Sequence, residues 1–215
     1  MDAVVFDLDG VLVDSERAWD EVRRAVVAEY GGAWTDEATR AMQGMSTPEW
    51  ARYLVDELGA ALTPDEVAKA VVDEMARRYA DAPPVIDGAV DAVRAVAARG
   101  PVGIASSSPP VLIASFLSFA GLTDLVPVAV SSEEVAAGKP APDVYLEAAR
   151  RLGVDPRRAA AVEDSTNGLR SAHAAGMTVV AVPNPHFPPD PAVVAATATT
   201  VLDDITALPA ALRNL

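Results

Sequence analysis

The chain has 215 residues, about half of them hydrophobic, with 17 basic against 31 acidic side chains and a formal charge of −14. That length allows one large domain or a core with a modest insert, and the apolar share is enough for a sizeable core. The negative charge repels nucleic-acid backbones and anionic membrane surfaces, and the lack of cysteine excludes disulfides, thiolate zinc sites and cysteine nucleophiles.

The opening Met1-Asp2-Ala3-Val4-Val5 carries an acid where an export signal would carry positive charge, so a cytoplasmic protein is expected. Residues 3–6 form a short apolar, β-branched run that ends at an Asp-rich, Gly-containing turn, which predicts a buried strand feeding a loop. From Ser15 to about Tyr79 no strand-like run occurs. Trp19, Val22, Val26 and Tyr30 fall at helical spacing there. Ser46-Thr47-Pro48-Glu49 and Thr63-Pro64-Asp65-Glu66 each place a hydroxyl cap near a first-turn proline and a glutamate. An all-helical insert follows, returning through Asp81-Ala82-Pro83-Pro84.

Beyond it, helix-length segments at 89–99, 110–120, 141–152 and 168–175 alternate with strand-like runs at 102–105, 126–130, 159–162 and 178–182. Gly100, Gly121, Gly153 and Gly176 stand where left-handed helix caps are expected. The longest largely apolar run, 109–122, is too short to cross a bilayer, so no membrane span is expected. The rhythm predicts an α/β fold: a parallel sheet with helices on both faces. Residues 1–14 and 84–215 make up its core, and 15–83 the helical insert.

Ligands of such sheets bind outside the carboxyl ends of the strands. The first strand is followed there by Asp7-Leu8-Asp9-Gly10, the second by Ser106-Ser107-Ser108 and the fourth by Glu163-Asp164, while Lys139 lies between the third strand and the next helix. Acids two apart on extended backbone project to one side, so Asp7 and Asp9 can face one ligand. Clustered carboxylates repel one another until a hard cation relieves them, which makes Asp7, Asp9, Glu163 and Asp164 candidate Mg2+ ligands. A carboxylate can attack phosphorus while a lysine, hydroxyls and amides hold the oxygens; Lys139, Ser106 and Ser107 are the candidate phosphate binders. Lys139 is one of two lysines against fifteen arginines, which suggests a site suited to a compact point charge.

Asp7-Leu8-Asp9-Gly10-Val11-Leu12, Ser106, Lys139-Pro140 and Glu163-Asp164 resemble the four ordered motifs of the haloacid dehalogenase (HAD) superfamily. The resemblance implies a Rossmann-like core with a helical cap. It also implies Asp7 as nucleophile, Asp9 as general acid/base and metal ligand through its backbone carbonyl, Ser106 and Lys139 as phosphate binders, and Asp164 as metal ligand supported by Glu163. Within the superfamily the chain looks like subfamily IA, the β-phosphoglucomutase-like and hexose-phosphate phosphatase-like proteins.

Metal-independent dehalogenation fits poorly, since Asp9 is present where dehalogenases generally lack the second aspartate. Phosphonate cleavage would need a cap lysine forming a Schiff base, and Lys69 lies in a charged helical stretch. Sugar phosphomutase activity is the rival. Where β-phosphoglucomutases carry a cap histidine and arginine this chain reads Trp19 and Thr47, and without that grip on a second phosphate, water is the expected acceptor. Asp14-Ser15-Glu16-Arg17-Ala18-Trp19-Asp20 instead resembles hexose-phosphate phosphatases. Glu16, Trp19, Gln43 and Met45 are the substrate-contact candidates, with Trp50 beside them. His186 follows the fifth strand at the active edge, while His173 reads as a helix surface residue. The expected protein is a Mg2+-dependent phosphatase of a small phosphorylated metabolite, a monomer or small homo-oligomer without nucleic-acid or membrane partners.

Overall fold

A computed structural model describes residues 1–42 and 45–215, those at 80 and 81 by their backbone alone. The elements run β1 (Ala3–Phe6), α1 (Glu16–Glu29), α2 (Ala38–Met42), α3 (Thr47–Asp56), α4 (Pro64–Asp81), α5 (Ala89–Ala97), β2 (Val102–Ser106), α6 (Pro110–Phe119) and β3 (Val128–Ser131). They continue with α7 (Asp143–Leu152), β4 (Ala159–Glu163), α8 (Thr166–Ala174), β5 (Thr178–Ala181), α9 (Pro191–Thr197), β6 (Thr200–Val201) and α10 (Leu208–Ala211). The strands form one parallel sheet in the order β3-β2-β1-β4-β5-β6, a Rossmann-like α/β arrangement.

Strand alternation sorts the core into two layers. Val4, Phe6, Ala160 and Val162 face α5, α6 and α10, whereas Ala3, Val5, Ala159 and Ala161 face α7, α8 and α9. Because β1 pairs with β2 on one side and β4 on the other, the chain reverses its direction of winding at β1, and the end of β1 lies in a crevice. Phe6 is opposite Val162 and the Asp7 amide donates to the Val162 carbonyl at 2.9 Å, so Asp7 and Glu163 leave the sheet side by side.

Helices α1 to α4 bury a separate apolar cluster that includes Trp19, Val22, Met42, Trp50, Leu54, Val71 and Met75, joined by Leu112 of α6. Both expected capping boxes form: the Ser46 amide donates to Glu49 Oε2 at 2.7 Å and the Thr63 amide to Glu66 Oε2 at 2.9 Å. The outgoing and returning chains run side by side, the Asp14 amide donating to the Pro84 carbonyl and the Ile86 amide to that of Leu12. No helix among the described residues is long and apolar enough to cross a membrane.

Four local departures from the sequence reading have physical causes. β3 starts at Val128 because Pro127 has no N–H to donate to a ladder. α7 starts at Asp143 because Ala141 precedes Pro142 and is pushed out of the helical region. Gly100 has no left-handed backbone, since α5 already ends at Ala97, whereas Gly121, Gly153 and Gly176 do. A sixth strand, only two residues long, follows α9 in a stretch of small residues too short to show periodicity.

Candidate active site

Asp7, Lys139, Glu163 and Asp164 meet at the carboxyl end of β1 and β4, each no more than 6% exposed. Lys139 Nζ donates to Glu163 Oε1 at 2.6 Å and lies 2.9 Å from Asp7 Oδ1, a charge contact without hydrogen-bond alignment. Burial alone would lower the lysine's pKa, but the two carboxylates beside it raise it, so it remains cationic. Glu163 is saturated. Oε1 also accepts from the Tyr145 hydroxyl at 2.9 Å, and Oε2 accepts from the amides of Asp164 and Ser165 and from Ser165 Oγ, at 3.1 to 3.2 Å.

Two glycines make room for this packing. Gly10 has φ +79°, and a Cβ there would stand 1.9 Å from Asp164 Oδ2. A Cβ on Gly168, in the first turn of α8, would stand 1.9 Å from Glu163 Oε1.

One lysine does not compensate three acids. Burial, then repulsion from Glu163, pushes the pKa of Asp7 and of Asp164 well above the usual carboxylate range despite Lys139. Asp7 Oδ1 and Asp164 Oδ1 are buried without a hydrogen-bond donor, and oxygens of Asp7, Glu163 and Asp164 lie within 4.8 Å of one another. Donor-less buried oxygens among hard carboxylate ligands fit a divalent cation such as Mg2+. Since both oxygens of Glu163 are engaged, it is placed to hold Asp164 and Lys139.

The Asp9 carboxylate turns away from this cluster. Oδ1 accepts from Ser15 Oγ and from Trp19 Nε1 (3.1 Å), and Oδ2 from Ser108 Oγ (2.5 Å) and Ser106 Oγ (3.4 Å). Any contact of Asp9 with a cation bound by Asp7 and Asp164 would therefore run through its backbone carbonyl. Ser106 is fully buried and accepts from the Ser108 amide at 3.0 Å, which leaves Ser107 and Ser108 to line the cavity.

The cavity is about 40 Å³, room for a few water-sized groups. Its floor is Asp7, Asp9, Lys139, Asp164 and Ser165; its opposite wall comes from the helical insert, as Glu16, Trp19, Arg23, Met42, Met45 and Trp50. Of the substrate-contact candidates, Glu16, Trp19 and Met45 line this wall, while Gln43 lies outside the described residues. Burial, then repulsion from Asp9, pushes the Glu16 pKa up to about 7, with Arg23 opposing.

Arg23 is absent from the sequence-based candidates, which weigh the missing mutase histidine and arginine at Trp19 and Thr47 and the cap lysine Lys69. The signal was present: Glu16, Trp19 and Arg23 stand at i, i+3 and i+7 on one face of α1. Ser108 appears in the sequence only as part of the Ser106-Ser107-Ser108 run, without a role of its own, and Tyr145 carries no local signal. The exposed His186 faces a neighbouring groove with Asp20 and Arg24, His173 is exposed on α8, and Lys69 is exposed and paired with Asp73.

A family model described as haloacid dehalogenase-like hydrolase matches residues 1–176. Hexitol phosphatase B of Escherichia coli (strain K12) is 33% identical over 196 residues, covering 88% of this chain and 86% of that one. The phosphorylated carbohydrates phosphatase of Thermotoga maritima is 31% identical over 178 residues, 82% of each chain. Among solved structures, CbbY from Rhodobacter sphaeroides in complex with phosphate gives a TM-score of 0.85 at 25% identity, over 97% of this chain and 96% of that one.

Proposed function

We propose, because the chain belongs to the haloacid dehalogenase-like hydrolase family, that it is a Mg2+-dependent phosphatase of a small phosphorylated carbohydrate, working through an aspartyl-phosphate on Asp7. The observation that carries this reading is the buried set Asp7, Lys139, Glu163 and Asp164, with a donor-less oxygen on each aspartate. The relatives named phosphatases of hexitols and of phosphorylated carbohydrates point to the substrate class.

Asp7, Asp164 and the backbone carbonyl of Asp9 would hold the cation, which when bound offsets the carboxylate charge and that of the phosphoryl oxygens. Lys139 neutralises the phosphoryl group from the other side, and Ser107, which lines the cavity, would meet one of its remaining oxygens. A carboxylate oxygen of Asp7 attacks phosphorus as the ester P–O bond breaks, and the leaving oxygen takes its proton from Asp9. Water, deprotonated by Asp9, then attacks phosphorus to release inorganic phosphate and restore Asp7. Ser15, Trp19 and Ser108 orient the Asp9 carboxylate for both transfers. Residues 15–83 serve as the cap that shuts this chemistry away from bulk water and carries the substrate contacts.

The test is phosphate release from a panel of hexose, hexitol, ketose and nucleoside monophosphates and p-nitrophenyl phosphate. Magnesium should support turnover, EDTA should abolish it, and Asp7→Ala should lower it by about a thousandfold or more. Unchanged turnover in Asp7→Ala would sink the nucleophile assignment. Accumulation of glucose 6-phosphate from β-glucose 1-phosphate, given a trace of the bisphosphate, would replace hydrolysis with mutase transfer.

A further inference from the structure

Three arginines of α1 behave differently. Arg17 and Arg24 are exposed and paired with Glu21 and Asp20. Arg23 is turned inward onto the cavity, its guanidinium carbon 4.8 Å from the ring centre of Trp19 and 4.9 Å from that of Trp50, the two indoles themselves 6.2 Å apart and tilted by 57°. Its Nε is buried with no hydrogen-bond partner, and among the described residues it makes no ion pair. An arginine half-buried with its Nε shut away from water, as Arg23 is, costs free energy that contact with two ring faces only partly offsets, and a neutral side chain would fill the same space without it. The indoles take the faces of the guanidinium and leave its N–H edge for a ligand.

The charges around Arg23 decide what that ligand is. Glu16, Asp9 and Asp20 all act on it, and burial still holds its pKa down to about 10, so it is cationic at neutral pH. The cavity already holds Asp7, Asp9, Glu16 and Asp164 against Lys139 and Arg23. Once one phosphoryl group occupies Lys139, a second anion would face Glu16 and Asp9 with only Arg23 to meet it. An uncharged, hydroxyl-rich body suits the same wall, because its oxygens accept from Arg23, its hydroxyls donate to Glu16, and its C–H faces rest on indole.

We propose that Arg23 is a specificity-determining residue that grips the uncharged polyhydroxylated body of a monophosphate, and that the site discriminates against bisphosphates. This rests on the phosphatase reading for the orientation of the phosphate, and it differs from that reading in what is measured.

The experiment is calorimetric binding to Asp7→Asn with magnesium, using sorbitol 6-phosphate, inorganic phosphate and fructose 1,6-bisphosphate, repeated with Arg23→Met and Arg23→Lys added. Arg23→Met should weaken sorbitol 6-phosphate by about tenfold or more beyond any change for inorganic phosphate, the loss of a charge-assisted hydrogen bond. Arg23→Lys should recover part of the loss, and the bisphosphate should bind more weakly than the monophosphate before either change. Equal losses for the two single-phosphate probes would overturn the proposal by making Arg23 a packing residue. Tighter binding of the bisphosphate, lost with Arg23, would overturn it by making Arg23 a second phosphate grip. If Asp7→Asn binds no sorbitol 6-phosphate while the unmutated chain turns over p-nitrophenyl phosphate, the proposal fails and hydrolysis stands. If the selective loss occurs but the unmutated chain hydrolyses no ester, it is hydrolysis that fails.

Discussion

The sheet-edge wall of the cavity is built largely from short acids within a residue or two of a strand end, whereas the helical wall is built from long side chains reaching off α1 and α3. On the first wall Glu163 accepts five hydrogen bonds, and Asp7, Glu163 and Asp164 each stand within one residue of the sheet register. On the second, Trp19 makes one hydrogen bond, Arg23 leaves Nε without any, and position is set by ring contacts. Reaction chemistry demands fixed geometry and is placed where the backbone supplies it. Selection of a substrate body needs only shape and a few polar edges, which helices presenting side chains can supply.

The sharpest way to break this comparison is to disturb the backbone beneath Glu163. Gly168→Ala on α8 would ordinarily stabilise a helix, yet its Cβ would fall 1.9 Å from Glu163 Oε1. We expect a loss of about 3 kcal/mol in denaturant midpoint analysis, with turnover down about a hundredfold. A variant as stable as the unmutated chain would show that the sheet-edge wall is softer than its packing implies.

Gly168 also shows which parts were legible in the sequence. Asp7, Asp9, Ser106 and Glu163-Asp164 could be read because each stands at or just past an apolar run that marks a strand, and Lys139 because it lies between a strand and the next helix, so position along the chain translates into position in space. The supports of those residues could not, since Gly168 acts through the space it leaves empty. Tyr145 reaches Glu163 across 18 positions, and Trp50 of α3 meets Arg23 of α1 across a separation that no local pattern bridges. Trp19, Val22 and Val26 mark the insert as helical, but an apolar stripe does not distinguish Arg23, one residue beyond Val22 on the face that lines the cavity, from the solvated Arg17 and Arg24.

Tyr145→Phe tests the sheet-edge wall more gently. It removes one hydroxyl from the Glu163 network and keeps the ring 5.1 Å from Lys139 Nζ. A buried hydrogen bond to a charged group is worth about 1.5 to 3 kcal/mol, so turnover should fall about tenfold with KM little changed. An equal rise in KM would instead move Tyr145 into the holding of substrate.

The smallest effect belongs to the helical wall. Glu16 has a pKa of 4.5 in the unfolded chain and about 7 in the folded one, because burial and then Asp9 disfavour its charge. A raised carboxyl means that the folded state holds the proton more tightly, so this group costs stability progressively as pH rises from about 4.5 to about 7 and by a constant amount above. Below that window both states are protonated and the cost vanishes. Glu16→Gln, measured in EDTA, should therefore match the unmutated chain near the acid end of the window and exceed it by about 1 to 3 kcal/mol at pH 8, a few degrees in Tm. A difference that stays flat across that range would mean that Glu16 is solvated, and the two walls would then be electrostatically independent. A difference that grows with pH would mean that the acids of the sheet edge strain the helical wall, and that Glu16 and Arg23 are kept there for what they bind.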